Sequence, residues 1–239
     1  VNFMIGGRVR LQLRAPYMWI SGNLGENSGV GDPTITASYA FINEDPRRLE
    51  GFIGTKLNLN EASAVASNTR PLPMPYQTSL GTKDMLLGVN YRRQFFQAGL
   101  AYQHVLVHEN DNGFLHLAWM DNADAQVYFE SAGLIRADDV VMRMQYLFGF
   151  RKLVVQPGLL AIYHLVEDER IMVDALGMRT TRVEGSDGLT LNITADARYK
   201  LSDHWNLEAS FGSPVIVREA RPDGLTRHFV LNLGARFAF

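Results

Sequence analysis

The stretch Leu225-Thr-Arg-His-Phe-Val-Leu-Asn-Leu-Gly-Ala-Arg-Phe-Ala-Phe239 decides the fold class. Phe229, Leu231, Leu233, Ala235, Phe237 and Phe239 fall on one face of an extended strand, while His228, Asn232, Gly234 and Arg236 share the other, because successive side chains point to opposite sides. One face is apolar and one is wet. Alternation alone does not say which face meets the core, since a soluble lipocalin-like barrel alternates with its apolar side inward.

A closing strand that alternates in this way and ends on Phe239 resembles the last strand of bacterial outer-membrane β-barrels, a resemblance that implies recognition of the terminal aromatic by an assembly machinery. The rest of the chain fits that class. It has 239 residues, a net charge of −2 and no cysteine, which removes disulfides, thiolate chemistry and Cys-based zinc sites. The near-neutral charge gives no reason to expect a nucleic-acid partner. No apolar run approaches the ~18 residues of a spanning helix. Nothing divides the chain, so it reads as a single domain over residues 1–239. The opening Val1-Asn-Phe-Met-Ile5 lacks an initiator Met and a leader, which fits a processed chain with further sequence upstream.

Alternating segments recur along the chain. Between Arg8 and Ile20, Arg8, Arg10, Gln12 and Arg14 oppose Val9, Leu11, Leu13, Ala15, Tyr17 and Trp19. Three arginines on one face are hard to bury in an apolar core but sit readily in a hydrated lumen, so the apolar side should face outward. Further strands are expected near 34–42, 49–59, 84–92, 95–103, 140–150, 154–165, 190–200 and 205–211, about ten in all with the last. A parity break near His104 marks either a bulge or the strand leaving the membrane. The connections alternate long (21–31, 61–82, 109–139, 166–188, 213–224) and short. Outer-membrane barrels have long extracellular loops and short periplasmic turns, with both termini on one side when the strand count is even. Aromatics beside the short turns (Tyr39, Phe41, Tyr91, Phe96, Tyr146, Phe148, Tyr199, Trp205, Phe237) form one interfacial girdle, and Tyr17, Trp19, Tyr102 and Tyr163 are candidates for the other. The fold expected is an all-β, transmembrane, antiparallel up-and-down barrel in the bacterial outer membrane.

A narrower likeness rests on Gly29-Val-Gly-Asp32 opening a strand, Gly54-Thr-Lys-Leu-Asn58, and Leu80-Gly-Thr-Lys-Asp84 followed by Gly88-Val-Asn-Tyr91. At these spacings the chain resembles the outer-membrane transporter family named for the phenol meta-degradation pathway. Asn58 stands where that family has Pro, and Lys83-Asp84 departs from its Gly-x-x-Asp pattern. The resemblance covers roughly residues 16–91, implies strands ahead of the Arg8 equivalent and hence a twelve-stranded barrel, and implies aromatic solutes.

In this register Arg10, Arg14, Lys56, Arg143, Arg198 and Arg236 face the lumen with Glu50, Asp196 and Glu208, as do Arg8, Arg92, Arg151 and Lys200. A basic interior attracts anions, and arginine suits carboxylate or phosphate. The bland alternative is an internal ion-pair network that plugs a small barrel. Eight strands leave a filled interior and sixteen an open one, so ten to twelve lies between. His104, His108 and His116 match no zinc spacing, and no cofactor is expected. The inward Ser210, His164, His228 and Glu208 carry no hydrolase motif, so catalysis is not expected. The function expected is a narrow passive channel for small solutes, anionic or aromatic. Outer-membrane lipid and lipopolysaccharide are the expected surroundings, and 61–82 the segment expected to fold inward. The alternatives are a plugged structural or partner-binding barrel acting through its extracellular loops and, behind it, a lipid-modifying barrel enzyme.

Overall fold

The computed structural model describes residues 1–175, 177–224 and 229–237, so His228 and the terminal Phe239 lie outside the described residues. Its wall is a 12-stranded antiparallel sheet. In wall order it comprises β1 (Asn2–Ile5), β2 (Val9–Arg14), β5 (Thr34–Glu44), β6 (Arg47–Lys56), β7 (Thr82–Arg93), β8 (Phe96–His108), β9 (Asp139–Tyr146), β11 (Leu153–His164), β14 (Gly188–Lys200), β15 (Trp205–Ile216) and β16 (Val230–Phe237). The short β10 (Phe148–Gly149) continues β9 against β11 in the same register. Two hairpins stand apart from the wall, β3 (Tyr17–Gly22) with β4 (Gly25–Val30), and β12 (Glu169–Asp174) with β13 (Gly177–Arg182).

The outer face is the apolar one. Phe41, Ile53, Leu100 and Leu233 are 60%, 55%, 49% and 77% exposed, while the opposite face of the wall carries charges that pair with one another, Arg10 with Glu50 and Arg143 with Asp196. An apolar surface of this extent is far beyond the scattered patches of a soluble monomer. Thirteen-residue β14 at ~3.3 Å per residue, tilted near 45°, spans roughly the 30 Å of a hydrocarbon layer. Aromatic pairs ring the short-turn end, with Tyr39 5.3 Å from Phe41, Tyr146 5.0 Å from Phe148 and Trp205 5.0 Å from Phe237.

Several local expectations change. The segment 8–20 is not one strand, because the wall strand stops at Arg14 and Pro16 directs the chain into β3. Tyr17 and Trp19 therefore sit on a hairpin outside the wall, their rings tilted with centroids 4.5 Å apart, and most of the expected loop 21–31 is β4. Arg8 and Arg151 lie in turns rather than on lumen faces. A strand that the alternation did not reveal, β1, folds back on β2 through Gly6 and Gly7, whose φ values of 58° and 71° suit glycine. With it β1 and β16 run in the same direction, so the ends of the described chain point to opposite rims and not to one. Among the described residues these two edges do not pair. The parity break at His104 is a bulge, since Asp84 pairs with Val105 and Lys83 with Val107.

Glycines in the wall make room for side chains that cross it. Gln145 on β9 reaches over Gly158 of β11 to Asp196 on β14, and a Cβ on Gly158 would meet the Met144 backbone carbonyl as well as Gln145 Cγ at 2.6 Å and Thr194 Oγ1 at 3.1 Å. Gly158→Val should therefore destabilise the barrel by about 1–3 kcal/mol, the usual cost of overpacking. The readout is a lower unfolding temperature in heat-modifiable gel mobility, and an unchanged temperature would show that Gln145 gives way freely.

Candidate functional site: a capped, arginine-lined lumen

The long connections at one end of the wall pack together as a cap, and the hydrophobic core lies there. Among the described buried apolar side chains only Ala40 and Val105 are on wall strands. One cluster joins Leu24, Leu72, Tyr76, Phe114 and Trp119, and a second joins Ala62, Met74 and Leu134. Residues 71–82 are at its centre. Tyr76 accepts from Leu24 N at 3.3 Å and meets Tyr128 Oη at 3.3 Å, while Gly224 lies close against the Met74–Pro75 backbone. Partners on connections from both ends of the sheet mean that this segment crosses the mouth.

Buried amides hold the cap where no regular structure could. Asn112 donates to Ala62 O (3.1 Å) and Leu72 O (2.9 Å) and accepts from Phe114 N (2.9 Å) and Ser131 Oγ (2.8 Å). Gln77 donates to Leu72 O at 2.8 Å and accepts from Ala64 N at 2.8 Å. At the surface Arg70 makes a two-pronged pair with Asp121 (2.5 and 3.0 Å) and lies 5.3 Å over the Trp119 ring.

Beneath the cap, where the wall strands begin and end, lies a buried ionic layer. His164 is fully buried, with Nδ1 2.7 Å from Asp139 Oδ1 and Nε2 2.7 Å from Asp168 Oδ1. Arg136 pairs with Asp139 and, at 3.6 Å, with Asp223, which also holds Arg218 at 2.8 Å. Burial pushes the Arg136 guanidinium toward losing its proton, but the surrounding carboxylates, Asp139 and Asp223 foremost, outweigh it and raise its pKa. Lys56 completes the layer, 2.6 Å from Asp84 and 3.8 Å from Asp32. It was expected to face solute, yet its side chain is only 13% exposed and belongs to the closure.

Below this layer further ion pairs line the polar face of the wall. Arg143 binds Asp196 at 2.6 Å, Arg198 binds Glu208 at 3.1 Å, and Glu50 takes Arg48 at 2.9 Å and Arg10 at 3.4 Å. Cavities of about 280, 470 and 530 Å³ occupy this region, and Arg143 lines all three. Arg14 lines the largest, and Arg236 on β16 faces Asn206 in the register. Arg48 was missed because the strand was expected to start at Leu49. The acidic members of the ionic layer were missed because 109–139 and 166–188 read as solvated loops, although His164, Lys56 and Asp84 all come near the long-loop ends of their strands.

His104 Nδ1 is 2.8 Å from Asp138, His116 Nε2 is 2.8 Å from Tyr128 O, and among the described residues no group of three ligands forms. Both nitrogens of His164 face carboxylates, so neither is left to serve Ser210 as a base.

The fold is that of an outer-membrane β-barrel. No protein-family model matches the sequence, and no curated protein matches it. Among solved structures it is similar to the COG4313 outer membrane channel from Pseudomonas putida F1, at 17% identity with a TM-score of 0.60 over 98% of this chain and 79% of that one.

Asn112→Leu should remove the partner of Ala62 O, Phe114 N and Ser131 Oγ, at about 1–3 kcal/mol for each left unsatisfied, and loosen the cap while the wall persists; Leu72 O keeps its bond from Gln77. Hydrogen exchange should rise across 62–80 and 110–131 with wall strands still protected. A second test uses Asp138, just outside β9. Burial raises its pKa, but hydrogen bonds from Tyr102, Val105 N and His104 outweigh that and hold it below the usual carboxylate range. Its contribution is therefore present above the unfolded pKa of ~3.9 and is lost as pH falls through the folded value. Proteolysis of 109–138 should accelerate on acidification below about pH 4, and Asp138→Asn should reduce that pH dependence.

Proposed function

We propose that this chain is a bacterial outer-membrane channel for passive entry of small solutes, with a preference for anions. The observation that carries the reading is the convergence of the three lumen cavities on Arg143, in a lumen where arginines outnumber carboxylates. A cationic lumen with low-dielectric walls concentrates anions. The likeness to a solved outer membrane channel supports transport as the class of function. The likeness of 16–91 to the phenol meta-degradation family adds aromatic acids to the solutes to be tried. The apolar outer face would meet lipid, and the loops lipopolysaccharide.

The cap favours a second reading. Its buried clusters and ionic layer close the long-loop end in the structure described, as a plugged barrel working through its loops would require.

Single-channel recording in planar bilayers separates the two. The channel reading expects a steady conductance with a reversal potential on the anion side under a salt gradient. In Arg10→Gln/Arg143→Gln the anion preference should fall severalfold, reflecting loss of two fixed charges. Silence from heat-modifiable, folded protein would favour the plugged barrel. Trimming 109–139 should then abolish partner binding while the arginine changes leave it intact.

A further inference from the structure

The cavity of about 280 Å³ lies toward the short-turn end of the lumen and has an unbalanced lining. Four guanidinium groups face it, Arg10, Arg48, Arg92 and Arg143, with Glu50 as the one carboxylate. Glu50 is buried and uses a single oxygen, Oε2, to hold Arg48 Nε at 3.1 Å, Arg48 Nη2 at 2.9 Å and Arg10 Nη2 at 3.4 Å. These contacts pin two guanidiniums in place without neutralising both. Arg143 is held by Asp196 at 2.6 Å from the neighbouring cavity.

Arg92 stands apart. It is directly opposite Arg48 in the β6–β7 register, and no ionic partner for it occurs among the described residues. Like charges placed opposite each other across a ladder are destabilising. The pair is relieved when an anion bridges it. The uncharged part of the lining includes the amides of Asn90 and Gln97. Gly99 keeps that side clear, since a Cβ there would meet Asn90 Oδ1 at 2.7 Å.

We propose that this cavity is a binding subsite for a small carboxylate solute, with the carboxylate bridging Arg92 and Arg48 and the two amides meeting its other polar groups. Planar guanidinium forks match a planar carboxylate on two points, and Arg48 and Arg10 already donate to the Glu50 carboxylate in this lining. At ~30 Å³ per water the cavity holds about nine waters, the space of an acid of a few carbons. The inference rests on the channel reading for how the solute arrives and leaves, but binding itself requires no conduction.

The test is calorimetric titration of the folded protein in detergent micelles with succinate, and with phosphate at matched ionic strength. Succinate should bind saturably, about tenfold tighter than phosphate. Arg92→Gln should weaken it by about tenfold or more, while Arg93→Gln, beside it on the opposite face of the strand, should leave it unchanged. Should Arg92→Gln fail the gel-mobility test of folding, Arg92→Lys carries the same question, because it keeps the charge and loses the fork, and severalfold weakening is expected. No saturable heat, equal binding of phosphate, or full affinity in a folded Arg92 variant would overturn the subsite. Binding by a protein that is silent in bilayers would overturn the channel reading alone. Conduction without binding would overturn the subsite alone.

Discussion

Every backbone N–H and C=O that enters hydrocarbon has to find its partner within the protein, because no water is present to take one. The structure follows from that requirement. Neighbouring wall strands satisfy each other in long antiparallel registers, twelve consecutive pairs between β11 and β14 alone. A sheet that meets lipid on its outside turns its apolar face outward, and its polar face becomes an interior. The usual core then has no place in the wall. It reappears among the long connections, where Leu72, Phe114, Trp119 and Leu134 are buried outside any strand.

Wall and cap are consequently held by different forces. The wall depends on ladders, and single side chains tune it where they cross a glycine, as Gln145 does at Gly158. The cap is irregular backbone, and it folds because amides such as Asn112 and Gln77 replace the ladder bond by bond. Between them the ionic layer contributes closure more than stability. Buried ion pairs seldom gain over well-packed apolar groups, and this layer leaves Asp84 Oδ1, Asp168 Oδ2 and Arg136 Nη1 buried without a protein partner.

The wall was legible in the sequence and the cap was not, for one physical reason. A strand between lipid and water has a period of two, and that period survives in the primary structure, so Leu191-Asn-Ile-Thr-Ala-Asp-Ala-Arg-Tyr199 reveals both faces without coordinates. It also placed Arg143 beside the lumen with Asp196 on the same side of the wall. Where the segment is too short, as in β1, the pattern is too brief to register, and only the Gly6-Gly7 turn signals it. The cap has no period because its contacts join residues far apart in sequence. His164 meets Asp139 across 25 positions and Asn112 meets Leu72 across 40. Polar residues that serve such contacts have the same composition as solvated loops. Hence Asp139, Asp168 and Asp223 read as surface, and Lys56 read as a solute-facing charge when it belongs to the closure.

The two polar levels of the interior differ in sign. The ionic layer sets Asp32, Asp84, Asp139, Asp168 and Asp223 against the permanent cations Lys56, Arg136 and Arg218, and His164 faces carboxylates on both nitrogens. Four residues along β9, about 13 Å at ~3.3 Å per residue, the sign reverses at Arg143 and the cationic lumen begins. The two levels also draw on different elements. The arginines lining the polar face come from β2, β6, β7 and β9, whereas the Arg136–Asp139–His164–Asp168 chain ties the long connections to the ends of β9 and β11, so the charge of one level can change without disturbing the contacts of the other.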